Sequence, residues 1–277
     1  MSSEGTIVTV GLPASGKTTF LAALWHQVES AEIPTAFTAE RLQPDREYFN
    51  KIRGAWLAFE EIPRTPVGIE RSALLHLRHT RTGTQFDLSI PDAAGERFAD
   101  QWYSRRIPRN YVEQLRASFG LCLFVHPNNI VRAELTPATK PQEDSLRPDL
   151  VDWEPGLTPT QVRFVDLLQN ALRIFARERE MRVAVVVSAW DEVDEQSSPA
   201  AWLERSLPML DQFLRANVGE LAYRVYGVSA IGGKLEDSER LALTPSPSSR
   251  VRVHIDSEMQ RDLTLPLEFL TETESPT

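Results

Sequence analysis

The chain has 277 residues, of which 42% are hydrophobic and 25% charged, enough apolar material for one large domain or two small ones with a substantial core. Thirty-nine acidic side chains against 30 basic ones give a net charge of −9, which disfavours non-specific nucleic-acid binding through phosphate neutralisation. No apolar run approaches the roughly 20 residues that span a bilayer, and the opening Met-Ser-Ser-Glu-Gly lacks a basic-then-apolar signal, so a cytoplasmic protein is expected. The single cysteine, Cys122, lies in the apolar run Leu121 to Val125 and reads as a buried strand thiol with no internal disulfide partner.

The first element is the apolar run Thr6-Ile-Val-Thr-Val10, a strand that runs straight into Gly11-Leu-Pro-Ala-Ser-Gly16-Lys17-Thr18. That segment is a G-x-x-x-x-G-K-T phosphate loop, a type of turn whose backbone N–H groups point at an anion. Gly11 and Gly16 permit the tight backbone path, Lys17 supplies charge to the outer phosphates, and Thr18 offers a hydroxyl to Mg²⁺. Ala14, Ser15 and Thr19 complete the cradle. The helix that follows places Leu21, Leu24, Trp25 and Val28 on one face, which packs its positive N-terminal end behind the phosphates.

A connecting region opens at Ile33-Pro34-Thr35, and Tyr48, Ile52, Trp56 and Phe59 are spaced for a helix from about Asp45 to Glu61, ended by Pro63 and Pro66. Two strands, Ser72 to Arg78 and Gln85 to Ile90, flank the polar turn Thr80 to Thr84 and predict an antiparallel hairpin. The second strand leads into Pro91-Asp92-Ala-Ala-Gly95-Glu96. After Arg97 to Arg109 come a helix around Tyr111 to Arg116 and a strand from Gly120 to Val125. Residues 128–160 lose all periodicity and read as an insertion.

A helix from Gln161 to Arg179 follows, with Val165, Leu168, Leu172 and Phe175 on one face. Val183 to Val187 is continuously apolar, as suits a central parallel strand covered on both faces. It ends in Ser188-Ala189-Trp190-Asp191. A helix from Pro199 to Ala216, a strand from Ala222 to Val228 and the loop Ser229 to Gly233 complete a domain over residues 1–233. Residues 234–277 are set apart as a partly irregular extension. Alternating strands and helices imply an α/β domain of three layers, α/β/α, on a mostly parallel sheet with one antiparallel hairpin strand and a crevice at the carboxyl ends of its strands. Trp25, Trp56, Trp102 and Trp190 read as packing residues.

A carboxylate leaving a strand end, as Asp92 does, can hold Mg²⁺ directly or through water. Gly95, three residues on, can offer its N–H to a terminal phosphate and move when that phosphate leaves. In this chain order the motifs resemble the Ras-like, translation-factor-related (TRAFAC) class of P-loop GTPases. Gly11 to Thr18 matches the phosphate loop of that class, Asp92 to Gly95 its Asp-x-x-Gly segment, and Ser229-Ala230 its Ser-Ala loop. Ser188 to Asp191 stands where an Asn-Lys-x-Asp base motif belongs and keeps only the aspartate.

The resemblance implies that Asp191 reads guanine, since one carboxylate accepts from both the ring N–H and the exocyclic amino group, whereas adenine has no such donor pair. Ser229 and Ala230 place backbone N–H groups near the base oxygen. Mg²⁺ is held by Thr18, Asp92 and a switch threonine, for which Thr65 is best placed and Thr35 and Thr38 are competitors. Lys17, Gly95 and Glu96 are the catalytic candidates. Glu96 takes the place of a water-orienting glutamine, and Pro13 stands where Ras-like members carry glycine, so slow or partner-stimulated hydrolysis is expected. Arg97, Arg105, Arg106 and Arg109 are candidates for a charge-neutralising finger or a solvated basic face.

Within that class, the phosphate loop with its Thr-Phe-Leu-Ala-Ala-Leu continuation and the Ile-Pro-Asp-Ala-Ala-Gly-Glu segment resemble the bacterial double-GTPase group of multi-component conflict and defence systems. That resemblance implies a GTP/GDP-binding regulatory switch with a protein partner, a second GTPase among the candidates. Two other readings stay open: an ATP-dependent phosphoryl transferase, and a catalytically inactive interaction module that presents the insertion as its surface.

Overall fold

The computed structural model describes residues 5–40, 43–62, 73–90, 102–132, 157–175, 180–193, 197–234 and 237–272. The first half runs β1 (Thr6–Gly11), α1 (Lys17–Ser30), β2 (Phe37–Ala39), α2 (Arg46–Leu57), β3 (Ala73–His79), β4 (Gln85–Ile90), α3 (Arg109–Ala117) and β5 (Ser118–Val125). The second half runs α4 (Thr160–Ile174), β6 (Met181–Ser188), α5 (Pro199–Ser206), α6 (Pro208–Ala216), β7 (Leu221–Ser229), α7 (Ser238–Ala242), β8 (Arg252–Ile255), β9 (Glu258–Gln260) and α8 (Leu265–Thr271).

The nine strands among the described residues belong to one sheet, in the order β2-β3-β4-β1-β5-β6-β7-β8-β9. The five central strands, β4 to β7 across the sheet, are mutually parallel, with Val8 opposite Leu121, Leu123 opposite Val185 and Val185 opposite Val225. Alternate residues of each central strand enter different cores, as the two-residue period of a strand requires. Ile7, Cys122, Phe124, Ala184 and Val186 join α1, α2 and α8 on one face. Val8, Val10, Leu121, Leu123, Val183 and Val185 join α3, α4, α5 and α6 on the other. Burial pushes the Cys122 thiol up from its ordinary value, in keeping with an inert strand position.

The sheet departs from the sequence reading at its edges. The reading gave one antiparallel hairpin strand, but two strands run against the rest, β3 and β8. Residues within the stretch set apart as an extension form β8, β9 and α8, and β8 pairs directly with β7. Arg-Val-His-Ile alternates as a half-buried strand should, yet four residues followed by three exposed ones are too few for a periodicity to register. The helix expected over Pro199 to Ala216 is two helices, because Leu207 adopts φ −136° and ψ 58° ahead of Pro208. Phe37 to Ala39, inside the expected connecting region, is an edge strand on β3.

The helix behind the phosphate loop is also more enclosed than an amphipathic pattern predicts: every residue from Phe20 to Val28 is buried. The C-terminal chain supplies the extra cover. Gln27 is fully buried, and its side-chain amide is satisfied by donating to the Arg261 carbonyl at 2.8 Å and accepting from the Leu263 N–H at 3.0 Å. Among the described residues no helix is long and apolar enough to cross a membrane.

Glu32, just beyond α1, ties that helix to the turn at Pro247–Arg250, accepting from the Ser248 N–H at 3.0 Å and lying 3.1 Å from His26 Nε2. Burial alone raises its carboxyl, but the hydrogen bond from the Ser248 N–H and the neighbouring Ser248, His26 and Ser246 side chains outweigh that and bring it from 4.5 down to about 2. A depressed carboxylate stabilises the fold above its unfolded value and loses that contribution as pH falls through the folded one. Glu32→Gln is therefore expected to cost about 1–2 kcal/mol at pH 7, with the gap narrowing between pH 4.5 and about 2. Denaturant midpoints across that range check it, and equal midpoints at pH 7 contradict it.

Candidate functional site

The chain turns from β1 into α1 through two residues that only glycine fits. Gly11 has φ +151° and Gly16 φ +85°. A Cβ on Gly16 would lie 2.7 Å from Ser188 Cβ, and one on Gly11 would lie 2.7 Å from the Phe124 carbonyl oxygen. Between them Ala14 is held at φ +55°, with its carbonyl accepting from Asn129 Nδ2 at 2.9 Å. Gly16 is the N-terminal cap of α1, and the first intrahelical bond runs from the Phe20 N–H to its carbonyl. The Lys17, Thr18 and Thr19 amides thus form the helix end, and no acidic side chain occupies the first turn. That end carries partial positive charge.

Lys17 Nζ spans the loop, donating to the Gly11 carbonyl at 2.9 Å, the Leu12 carbonyl at 2.8 Å and Ser15 Oγ at 2.9 Å. Ser15 is buried, whereas Thr18 and Thr19 are half-buried. The Thr18 hydroxyl has no hydrogen-bond partner among the described residues.

A second set of residues comes from the carboxyl ends of β6 and β7. Ser188 Oγ donates to the Val125 carbonyl at 3.3 Å, and Ala189 takes a left-handed conformation at φ 46° and ψ 45°, starting the turn Trp190–Glu192. Asp191 Oδ1 accepts from Ser229 Oγ. Trp190 is buried against Gly227, where a Cβ would fall 2.3 Å from the indole Cδ2. The turn after β6 thus rests on a β7 position that admits no side chain. Trp56 does more than pack: its Nε1 donates to the Ala230 carbonyl at 3.0 Å and holds the Ser-Ala loop.

Gly16, Thr19, Asp191 and Ala230 line one cavity of about 230 Å³, with Phe20, Phe124 and Val186 as apolar wall. Gly11, Ala14, Ser15, Lys17 and Thr18 lie in the adjoining loop and helix end, and Ser229 sits behind Asp191. The expected sites Thr65, Asp92, Gly95 and Glu96, together with Arg97, lie outside the described residues. Thr35 and Thr38 belong to the far edge of the sheet: Thr35 Oγ1 donates to the Phe37 carbonyl at 2.7 Å, and Thr38 pairs with Arg78. Arg105 is committed to Asp166 at 3.0 Å and stacks on Trp102 at 3.9 Å, while Arg109 pairs with Glu113.

Three further contributors had no motif to announce them. Asn129 holds the phosphate loop through Ala14, and Asn128 donates to Glu192, so the turn after β5 braces both halves of the cavity. Lys234 lines the same cavity from the loop after β7. The Asn-Asn pair at a strand's carboxyl end was the available signal. Among the described residues no group of three His, Cys, Asp or Glu gathers to hold a metal ion.

A sequence model of the Double-GTPase 1 family matches residues 8–270. No curated protein matches the chain. Among solved structures, the crystal structure of the bacterial selenocysteine-specific elongation factor EF-Sec is similar at 18% identity, with a TM-score of 0.39. The match covers 86% of this chain and 28% of that one.

Proposed function

The chain belongs to the Double-GTPase 1 family, and from that premise we propose that it binds GTP with Mg²⁺, hydrolyses it slowly or when a partner assists, and acts as a regulatory switch. The observation that carries this reading is one cavity that joins Gly16 of the phosphate loop and Thr19 of α1 to Asp191 and Ala230. A nucleotide needs both ends at once, an anion cradle and a base pocket with convergent polar groups.

Each residue then has a task. The Lys17 ammonium neutralises the outer phosphates, while the amides from Ala14 to Thr19 donate to their oxygens. Asp191 accepts from the two guanine N–H donors, and Ser229 holds that carboxylate through Oδ1. Ala189 offers the base only a methyl group, and the aliphatic stem of Lys234 covers it instead. The oxygen donors Thr18, Asp92 and Thr65 fit a hard divalent cation, and the Thr18 hydroxyl has no competing partner among the described residues. Mg²⁺, when bound there, supplies charge neutralisation between the outer phosphates. Gly95 donates its N–H to the γ-phosphate, and Glu96 accepts a proton from the attacking water. Its negative charge beside the phosphate makes unassisted turnover slow.

Residues 1–233 carry most of the nucleotide site in this reading, a three-layer P-loop NTPase arrangement whose sheet and core β8, β9 and α8 complete. The 128–160 insertion and the 234–277 extension are the surfaces from which a protein partner, a second GTPase in a bacterial multi-component system, reads the bound state. Hydrogen exchange on protein loaded with a non-hydrolysable GTP analogue, compared with GDP, tests the switch. Residues 60–70 and 91–100 are expected to gain protection only with the analogue, by about tenfold or more. Identical exchange in both forms contradicts it.

A further inference from the structure

A second cavity, of about 500 Å³, lies against the base loop, with Asp191 on the wall of both. Its lining is strongly basic in a chain of net charge −9: Arg240, Arg250, Arg252 and Arg261 all face it, together with His254. Among the described residues Asp191 is the one carboxylate on its wall, and it is already engaged by Ser229.

The guanidiniums differ in how far the protein satisfies them. Arg240 pairs with Asp237 at 3.1 Å on the surface. Arg250 is only 6% exposed, is clamped between the Trp56 and Phe59 rings at 4.2 and 4.1 Å, and donates through Nη2 to the Trp56 carbonyl at 3.0 Å. Its Nε is buried with no hydrogen-bond partner. Burial pushes Arg250 down to about 10, against an opposing pull from Glu32, so the group is still charged at neutral pH. Arg252 and Arg261 are exposed and form no ion pair among the described residues.

A fixed, buried guanidinium with no ion pair among the described residues costs free energy that a bound anion beside it offsets. Planar guanidiniums around one concavity match the oxygens of phosphoryl groups, which take two parallel N–H bonds from each fork. The volume falls in the range of small-molecule sites. We propose that this cavity binds a small polyanion carrying at least two phosphoryl groups, at a site separate from the phosphate loop. Arg250 is its fixed anchor, and Arg252 and Arg261 close on the ligand from the β8–β9 edge. The GTP reading is not needed for this site.

Calorimetric titration of inorganic pyrophosphate into the full chain without Mg²⁺ tests it, using wild type, Lys17→Ala, Arg252→Gln/Arg261→Gln and the triple variant. Pyrophosphate is expected to bind Lys17→Ala with an affinity that falls as salt is added, and to bind the triple variant at least about tenfold more weakly. A parallel arm with ADP separates sources: tighter binding than pyrophosphate to Lys17→Ala identifies a nucleotide diphosphate, and equal binding identifies the free anion. Both outcomes support the site. Exposed glutamines at 252 and 261 leave the core untouched, and a melting curve confirms folding. Should Lys17→Ala not fold, loss of one of two pyrophosphate sites on going from wild type to Arg252→Gln/Arg261→Gln gives the same answer. Absence of binding to folded Lys17→Ala, or binding unchanged by the arginine substitutions, overturns the proposal.

Discussion

Lys17→Ala is expected to weaken GTP binding by roughly 100- to 1000-fold, about 3–4 kcal/mol, the worth of two charge-assisted hydrogen bonds to phosphate. Lys17 Nζ is gathered by the Gly11 and Leu12 carbonyls and by Ser15 Oγ, which places the ammonium across the mouth of the loop. Among the described residues the one lysine or arginine that lines the adjoining cavity is Lys234, which enters from the loop after β7. The same three bonds mean that the substitution also loosens the loop, so a melting curve must accompany the titration. A folded Lys17→Ala protein that binds GTP within about threefold of wild type removes the phosphate loop from the account.

The second large effect concerns the base. Asp191→Asn is expected to lower GTP affinity by about 100-fold, because a carboxylate that accepted two N–H donors becomes an amide with one acceptor and two donors of its own. The change should leave ATP binding unaltered and raise affinity for xanthosine triphosphate, whose base carries a carbonyl where guanine has its amino group. Ser229 makes the exchange structurally mild: its hydroxyl donates to Asp191 Oδ1, and an asparagine oxygen can accept the same bond. Competition titrations with the three triphosphates check it. Equal loss for GTP and ATP would mean that Asp191 only supports the turn after β6.

What could be read in advance follows from how local each constraint is. The phosphate loop announces itself because Gly11 and Gly16 take backbone angles that side chains rarely tolerate, and Gly16 also faces Ser188 at a distance with no room for a Cβ. β1, β5 and β6 are legible because both faces are covered and the runs are continuously apolar. Asp191 is singled out by its place in chain order after β6, despite the loss of its motif neighbours, and it lines the same cavity as Gly16.

Other features depend on residues far apart in the chain. Burial of Gln27 rests on Arg261 and Leu263, more than 230 positions away, and no helical periodicity encodes that cover. Trp56 reads as one more apolar position on α2, and only the assembled fold brings its Nε1 to Ala230 and its ring to Arg250. Asn129 and Lys234 lie outside every motif and enter the site through tertiary position alone. The short edge strands β8 and β9 escaped because seven residues carry too little alternation, although pairing of β8 with β7, and of β9 with β8, makes them strands.

Direct titration of purified protein with GTP, GDP and ATP in Mg²⁺ bears most immediately on the nucleotide reading. Micromolar or tighter binding of both guanine nucleotides, with ATP at least about 100-fold weaker, is the expected result, since Asp191 offers adenine no matching donor pair. Failure of folded protein to bind either guanine nucleotide, or equal affinity for ATP, would contradict it.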